Sequence, residues 1–226
     1  MMDTWWLEYG GDVIWVGVGV CILLSYHLFV AVSVWRNPNF TVQSVNRKAR
    51  RAWVHHIMAE PANGILGVQT LRNSTMAATF FASTSVILIM GVLTLSGKAD
   101  EIAQGWHTLN IIGSRHPGLS EIKLLVLLAD LLIAFFSFAM SVRLYNHVGF
   151  QLSLPAKVRP LAVDPDKVAH HLNRAGSFYS TGMRAYYLSV PLVFWLFGPH
   201  LMALSSLMLV VMLYFMDRMP PVRRPD

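Results

Sequence analysis

Asp130 is the residue most exposed to a chemical question. It is the sole charge in an otherwise uncharged window between Lys123 and Arg143. A carboxylate at membrane depth costs about 3 kcal/mol on insertion scales, so it is expected to face a partner or water. Arg184 sits at the head of another long apolar stretch and is the expected counter-ion, which would make Asp130 and Arg184 an intramembrane charge pair. Such a pair has two readings: a proton or ion relay, or a structural ion pair.

Nine histidines form a second set. Neutral imidazole is a common ligand of transition metals and haem. Yet the adjacent pairs His55-His56 and His170-His171 point about 100° apart on a helix. No HxxxH, ExxH, CxxC or HExxH spacing occurs. His27 and His147 are the weak candidates left for a metal. The third set is polar and flanks the apolar windows: Gln69, Arg72 and Asn73; Arg143, Tyr145, Asn146 and His147; Asn173, Arg174, Ser180, Arg184, Tyr186 and Tyr187. These could form a pocket for an anionic headgroup, a quinone head or a phosphate-bearing ligand, using Arg forks and hydroxyl donors. They could equally form a collar that satisfies helix ends and snorkels into headgroups.

The elements that must position these residues are apolar and long. The chain has 226 residues, 54% apolar and 13% charged, with a mean hydropathy of +0.48. Soluble domains carry about 25% charge. The composition excludes a disordered chain, a disulfide scaffold and a coiled coil. The fold class expected is an all-α integral membrane protein. Spans are expected at about 13–35, 73–97 and 122–146, each long enough for a hydrocarbon core that needs roughly 20 residues. The final uncharged window, residues 185–216, is 32 residues long. As one helix it would reach about 48 Å, too long for a single pass. Gly198-Pro199 is a break signal and divides it into spans at about 178–197 and 199–216. Four and five spans are therefore both open.

Charge favours five. No Lys or Arg precedes the first span, whereas Asp3, Glu8 and Asp12 do. Arg36, Arg47, Lys48, Arg50, Arg51 and Arg72 follow it. Lys98, Arg115 and Lys123 are balanced by Asp100, Glu101 and Glu121. Arg143, Lys157, Arg159, Lys167, Arg174 and Arg184 follow span three, and Arg218, Arg223 and Arg224 form the tail. The positive-inside rule puts the N-terminus outside, and five spans bring the tail inside. Trp5, Trp6, Trp15 and Trp106 fit an outer aromatic belt; Trp35, Trp53, Tyr145, Tyr214 and Phe215 fit an inner one.

Two cytoplasmic-side amphipathic helices are expected. At 41–58, Val42, Val45, Ala49, Ala52, Trp53 and Ile57 recur at helical spacing, opposite Gln43, Asn46, Arg47, Arg50 and Arg51. At 165–177, Asp164-Pro165 gives an N-cap followed by Pro at the first helical position. Small residues recur every four positions, at Gly17, Cys21 and Ser25 and at Ser74, Ala78 and Ala82, which permits close helix approach.

Three stretches carry a resemblance: residues 68–83 (VQTLRNSTMAATFFAS), 135–150 (FFSFAMSVRLYNHVGF) and 173–199 (NRAGSFYSTGMRAYYLSVPLVFWLFGP). The chain resembles an uncharacterised membrane protein family, the domain of unknown function five-nine-nine. The resemblance implies a multi-span inner-membrane protein of bacteria and plants, and no particular activity, substrate or cofactor.

The function expected is that of a non-catalytic inner-membrane protein, a homo-oligomer or an accessory subunit of a larger membrane complex. The alternatives are a small transporter or channel using Asp130 and Arg184, or a His-ligated metal, haem or quinone-binding redox subunit. No cofactor is expected beyond structural lipids. The expected partners are membrane lipids with anionic headgroups and copies of itself or other membrane subunits, with no nucleic acid. A bacterial inner membrane is the expected location.

Overall fold

The structure is a computed structural model and describes residues 2–97, 117–155 and 163–218, with the side chains of 2–9, 61 and 117 left aside. Trp106, Lys98, Asp100, Glu101, Arg115, Lys157, Arg159, Arg223 and Arg224 lie outside the described residues, as do the side chains of Asp3, Trp5, Trp6 and Glu8. The described residues form helices α1 (Met2–Arg36), α2 (Val42–Ala59), α3 (Gly64–Ser96), α4 (Pro117–Leu152), α5 (Pro165–Phe197) and α6 (Pro199–Asp217), with a 3-10 turn at Pro61–Asn63. No strand occurs among them, and one isolated bridge pairs Thr41 with Arg218. Four helical stretches are long and apolar enough to cross a membrane: Gly10–Arg36, Gly64–Ser96, Gly118–Leu152 and Pro199–Asp217. An all-α chain of this kind is a multi-span membrane protein, because only helices and closed barrels satisfy their backbone in lipid.

The chain divides into two compact units, one of Met1–Val45, Val92–Leu128 and Tyr187–Asp226, the other of Asn46–Gly91 and Ala129–Tyr186. In the first, α1 and α6 run parallel. Gly19 sits against Ala203 and Ser206, where an added Cβ would come within 3.3 Å of Ser206 Oγ. Two turns further along α1 and three to four along α6, the Tyr26 hydroxyl donates to Asp217 Oδ2 at 2.8 Å. Between these points Tyr26, Val30, Leu209 and Leu213 form a buried cluster. Lys123 lies with its ammonium 5.7 Å from the Trp195 ring centre. Gly198 separates α5 from α6, with Pro199 at the first turn of α6. There the missing proline N–H is no loss, since the first helical donors have no partner in any case.

In the second unit α4 and α5 run antiparallel. Ser141 Oγ donates to the Ala175 carbonyl at 3.0 Å, and Ala134, Phe138 and Ala185 share a buried cluster. Gly182 makes this approach possible, because a Cβ there would lie 2.8 Å from the Phe138 ring. Phe81 of α3 stacks on Phe138 with ring centres 5.3 Å apart. Tyr186 donates to the Phe81 carbonyl and lies 2.8 Å from Ser85 Oγ, so its hydroxyl ties α5 to α3 inside an apolar layer. At the other end, Val54, Ile57 and Met58 of α2 join Leu71, Val148, Leu152, Val168 and Leu172 in one core.

Two expectations change here. The amphipathic helix expected at 41–58 forms as α2, but its buried residues are Val54, Ile57 and Met58 with Arg50 half-buried beside them, while Ala49 and Ala52 are exposed. The face that packs on protein is rotated away from the most apolar-looking stripe, because α5 offers a gap at Gly176 that fits a guanidinium. The stretches expected as an interfacial helix at 165–177 and a span at 178–197 are one continuous helix, with Pro191 inside it. It begins at Pro165, and the Val168 N–H bonds the Asp164 carbonyl at 3.0 Å.

Candidate functional site

The polar residues of the second unit gather at the end where α2, the start of α3, the end of α4 and the start of α5 meet. Arg50 reaches from α2 onto α5. Its Nε donates to Asn173 Oδ1 at 2.9 Å, and the Asn173 amide donates back to the Arg47 carbonyl at 3.3 Å. The guanidinium lies over Gly176, where a Cβ would come within 2.7 Å of it. Burial pulls the Arg50 pKa below its ordinary value, and Arg nonetheless stays charged because its reference lies so high. One turn further out, Arg51 and His55 both meet Asp166 Oδ1, at 3.0 Å and 2.8 Å. The hydrogen bond from His55, then that from Arg51, holds the Asp166 carboxyl below its usual pKa. The Asp166 group is fully exposed and is a surface clamp between α2 and α5.

The expected collar therefore separates into parts. Asn173 belongs to the α2–α5 clamp. Tyr145 is buried in the core beside Leu71 and Val148. Arg174 is exposed and lies 5.8 Å from the Phe178 ring. Gln69, Asn73, Arg143 and His147 are exposed. Tyr186 lies deep among Phe81, Phe138 and Met183. Tyr187 belongs to the other unit, packed on the Tyr26 cluster. Arg72, Tyr145 and Asn146 do converge, on a groove of about 400 Å³ between α3 and α4. Sequence reasoning placed Arg50 on the headgroup side and gave Asp166 no role. The signal it missed was Gly176, three residues after Asn173, where the absence of a side chain leaves room for one.

No ion pair between Asp130 and Arg184 occurs among the described residues, and Asp130 Oδ2 is buried with no hydrogen-bond partner there. Ala134 of α4 shares a buried cluster with Ala185 of α5, which places Asp130 about one turn along α4 from the level of Arg184. His27 Nδ1 lies 2.8 Å from the Leu23 carbonyl of its own helix, which occupies one of its two ring nitrogens. Among the described residues no group of three or more His, Cys, Asp or Glu side chains converges on a common point.

Long apolar helices, a basic amphipathic helix packed across their ends and polar groups turned inward define an all-α, multi-span membrane protein. The family described as "Protein of unknown function, DUF599" matches residues 14–222, and the chain belongs to that family. No curated protein and no solved structure matches it.

Proposed function

We propose that the protein is a non-catalytic component of a membrane assembly in the bacterial inner membrane, either as a homo-oligomer or as an accessory subunit. The observation that carries this reading is the open face of α1. Gly17, Cys21 and Ser25 line an apolar groove of about 1000 Å³ alongside α6, and a Cβ at Gly17 would meet nothing within 4 Å. A second transmembrane helix fits such a small-residue face at close range, where van der Waals packing drives association in lipid. The polar groups support the same reading, since Arg50, Ser141, Asp166 and Tyr186 are all engaged in joining helices.

The proposed topology has five crossings with the N-terminus outside. Parallel α1 and α6 support it: they cross in the same direction, so α5 must return the chain between α4 and α6. Cys21 gives the test, because it is exposed and is the chain's single cysteine. Membranes treated with a short bifunctional maleimide yield a Cys21–Cys21 dimer for a homo-oligomer, or a Cys21 adduct with a different membrane protein for an accessory subunit. Full labelling of Cys21 by a lipid-soluble monofunctional maleimide with no cross-link of either kind overturns the proposal.

A second reading is transport. Its support is the buried Asp130 oxygen without a partner, since an ionisable group at that depth marks a pathway unless it is compensated. Proteoliposome flux that depends on Asp130 would favour it over the first.

A further inference from the structure

The groove between α3 and α4 has a composition that the assembly reading does not use. Its walls are largely apolar, from Val68, Leu71 and Met76 on α3 and Phe150 on α4, and the polar side chains of Arg72, Thr75, Tyr145, Asn146 and Ser153 also line it. Arg72 is exposed and has no hydrogen bond or ion pair among the described residues, and the same holds for Thr75 and Asn146. A guanidinium with five donors and no anion beside it is unusual next to an apolar slot; Arg forks match phosphate oxygens.

The level of the groove is set by its neighbour in sequence. Leu71 packs in the core that contains Val54 and Ile57 of α2. Helix α2 is the basic amphipathic element that lies across the helix ends, so Arg72 stands at the depth of the headgroup layer. Above it, Met76 continues the slot along α3 toward the apolar midplane.

We propose that this groove holds an anionic phospholipid, with its phosphate on Arg72 and the Asn146 amide and one acyl chain along the α3–α4 wall. A lipid phosphate carries the charge that complements Arg72, and an amphiphile matches a slot whose walls combine a guanidinium with apolar side chains. The lipid attracts the positive side chain by charge-assisted hydrogen bonds, which are the strong class.

The test uses purified full-length protein in a mild detergent, titrated with dioleoylphosphatidylglycerol or dioleoylphosphatidylcholine and read by native mass spectrometry. Both lipids offer a phosphate to Arg72, but only phosphatidylcholine brings a choline cation beside the guanidinium, so the anionic lipid binds about tenfold more tightly. Arg72→Gln removes that preference, and Arg72→Lys keeps part of it. Gly149→Met fills the slot while leaving Arg72 itself in place; a Cβ at Gly149 meets only the Leu71 side chain, at 4.0 Å, so the helix accepts the substitution while the longer side chain takes up groove volume that the lipid needs. Arg143→Gln, exposed on α4 and outside the groove, leaves binding unchanged. Equal binding of the two lipids by the wild type, or undiminished anionic-lipid binding in Arg72→Gln and Gly149→Met, overturns the proposal. Displacement of the lipid by millimolar sn-glycerol 3-phosphate also overturns it, in favour of a soluble phosphate ester. If Arg72→Gln loses its helical circular dichroism, Gly149→Met decides alone.

Discussion

A methyl group added at Gly182 probes the close approach of α4 and α5. Its Cβ would sit 2.8, 2.8 and 2.9 Å from three carbons of the Phe138 ring, whereas carbon atoms pack best at about 3.5–4.0 Å. The ring cannot retreat easily. It is fully buried, stacked on Phe81 at 5.3 Å and held at its edges by Tyr179 at 5.7 Å and Tyr186 at 5.3 Å. Overpacking of this kind costs about 1–3 kcal/mol. Alanine returns about 1 kcal/mol relative to glycine through helix propensity. Gly182→Ala should therefore destabilise the detergent-purified protein by about 1 kcal/mol net, read by reversible SDS unfolding followed by circular dichroism. Phe138→Leu is destabilising by itself, but it clears the space the methyl needs. The double variant should then be more stable than the sum of the singles by about 1–3 kcal/mol, the overpacking that no longer occurs. Additivity within about 0.5 kcal/mol would refute the contact, since independent sites add that closely.

A C-terminal alkaline phosphatase fusion should be inactive and a fluorescent protein fusion bright, because parallel α1 and α6 put the tail on the side of Arg36; an active phosphatase would remove the fifth crossing. Asp130→Leu should raise the unfolding midpoint, since it removes a buried oxygen without a partner whose cost is about 1–3 kcal/mol, and Arg184→Gln should add to it independently; strong coupling between the two would contradict the register of α4 and α5. Asp166→Asn should lower the melting temperature at pH 7, and its gap to the wild type should narrow progressively as pH falls below about 4. The folded Asp166 pKa is depressed, chiefly by the His55 hydrogen bond, so its contribution is present above the ordinary carboxylate pKa of about 4 and is lost as pH falls through the lower folded value. A gap between the two proteins that is unchanged at pH 3 would show that the carboxylate charge is not what holds α2 to α5.

Much of this architecture was legible in the linear sequence. Uncharged windows marked the helices long enough to cross a membrane, Gly198-Pro199 marked the break before α6, and Asp164-Pro165 marked the start of α5. These are properties of residues summed along the chain or of single backbone positions. Transfer from water to lipid depends on how much apolar surface a segment carries, not on what it meets, so a window suffices. The stretches quoted from residues 68, 135 and 173 onward also pointed to the family.

Which polar groups meet was decided only in three dimensions. Each residue turns a helix by about 100°, so a small rotation or a one-residue slip between neighbours replaces every partner. Arg50 belongs by sequence to a solvated basic stripe, yet it is half-buried because Gly176 leaves a gap for it across a separation of 126 residues. Asp130 and Arg184 look complementary in the sequence, yet no ion pair between them occurs among the described residues. The polar collar divided for the same reason: Tyr186 follows its helix inward to the Phe81 carbonyl, Asn173 turns to Arg50, and Arg72, Tyr145 and Asn146 line the α3–α4 groove. Hydropathy gives the length and depth of a helix; its rotation and height against the next helix are set by side-chain shape, which has no signature until the helices are packed.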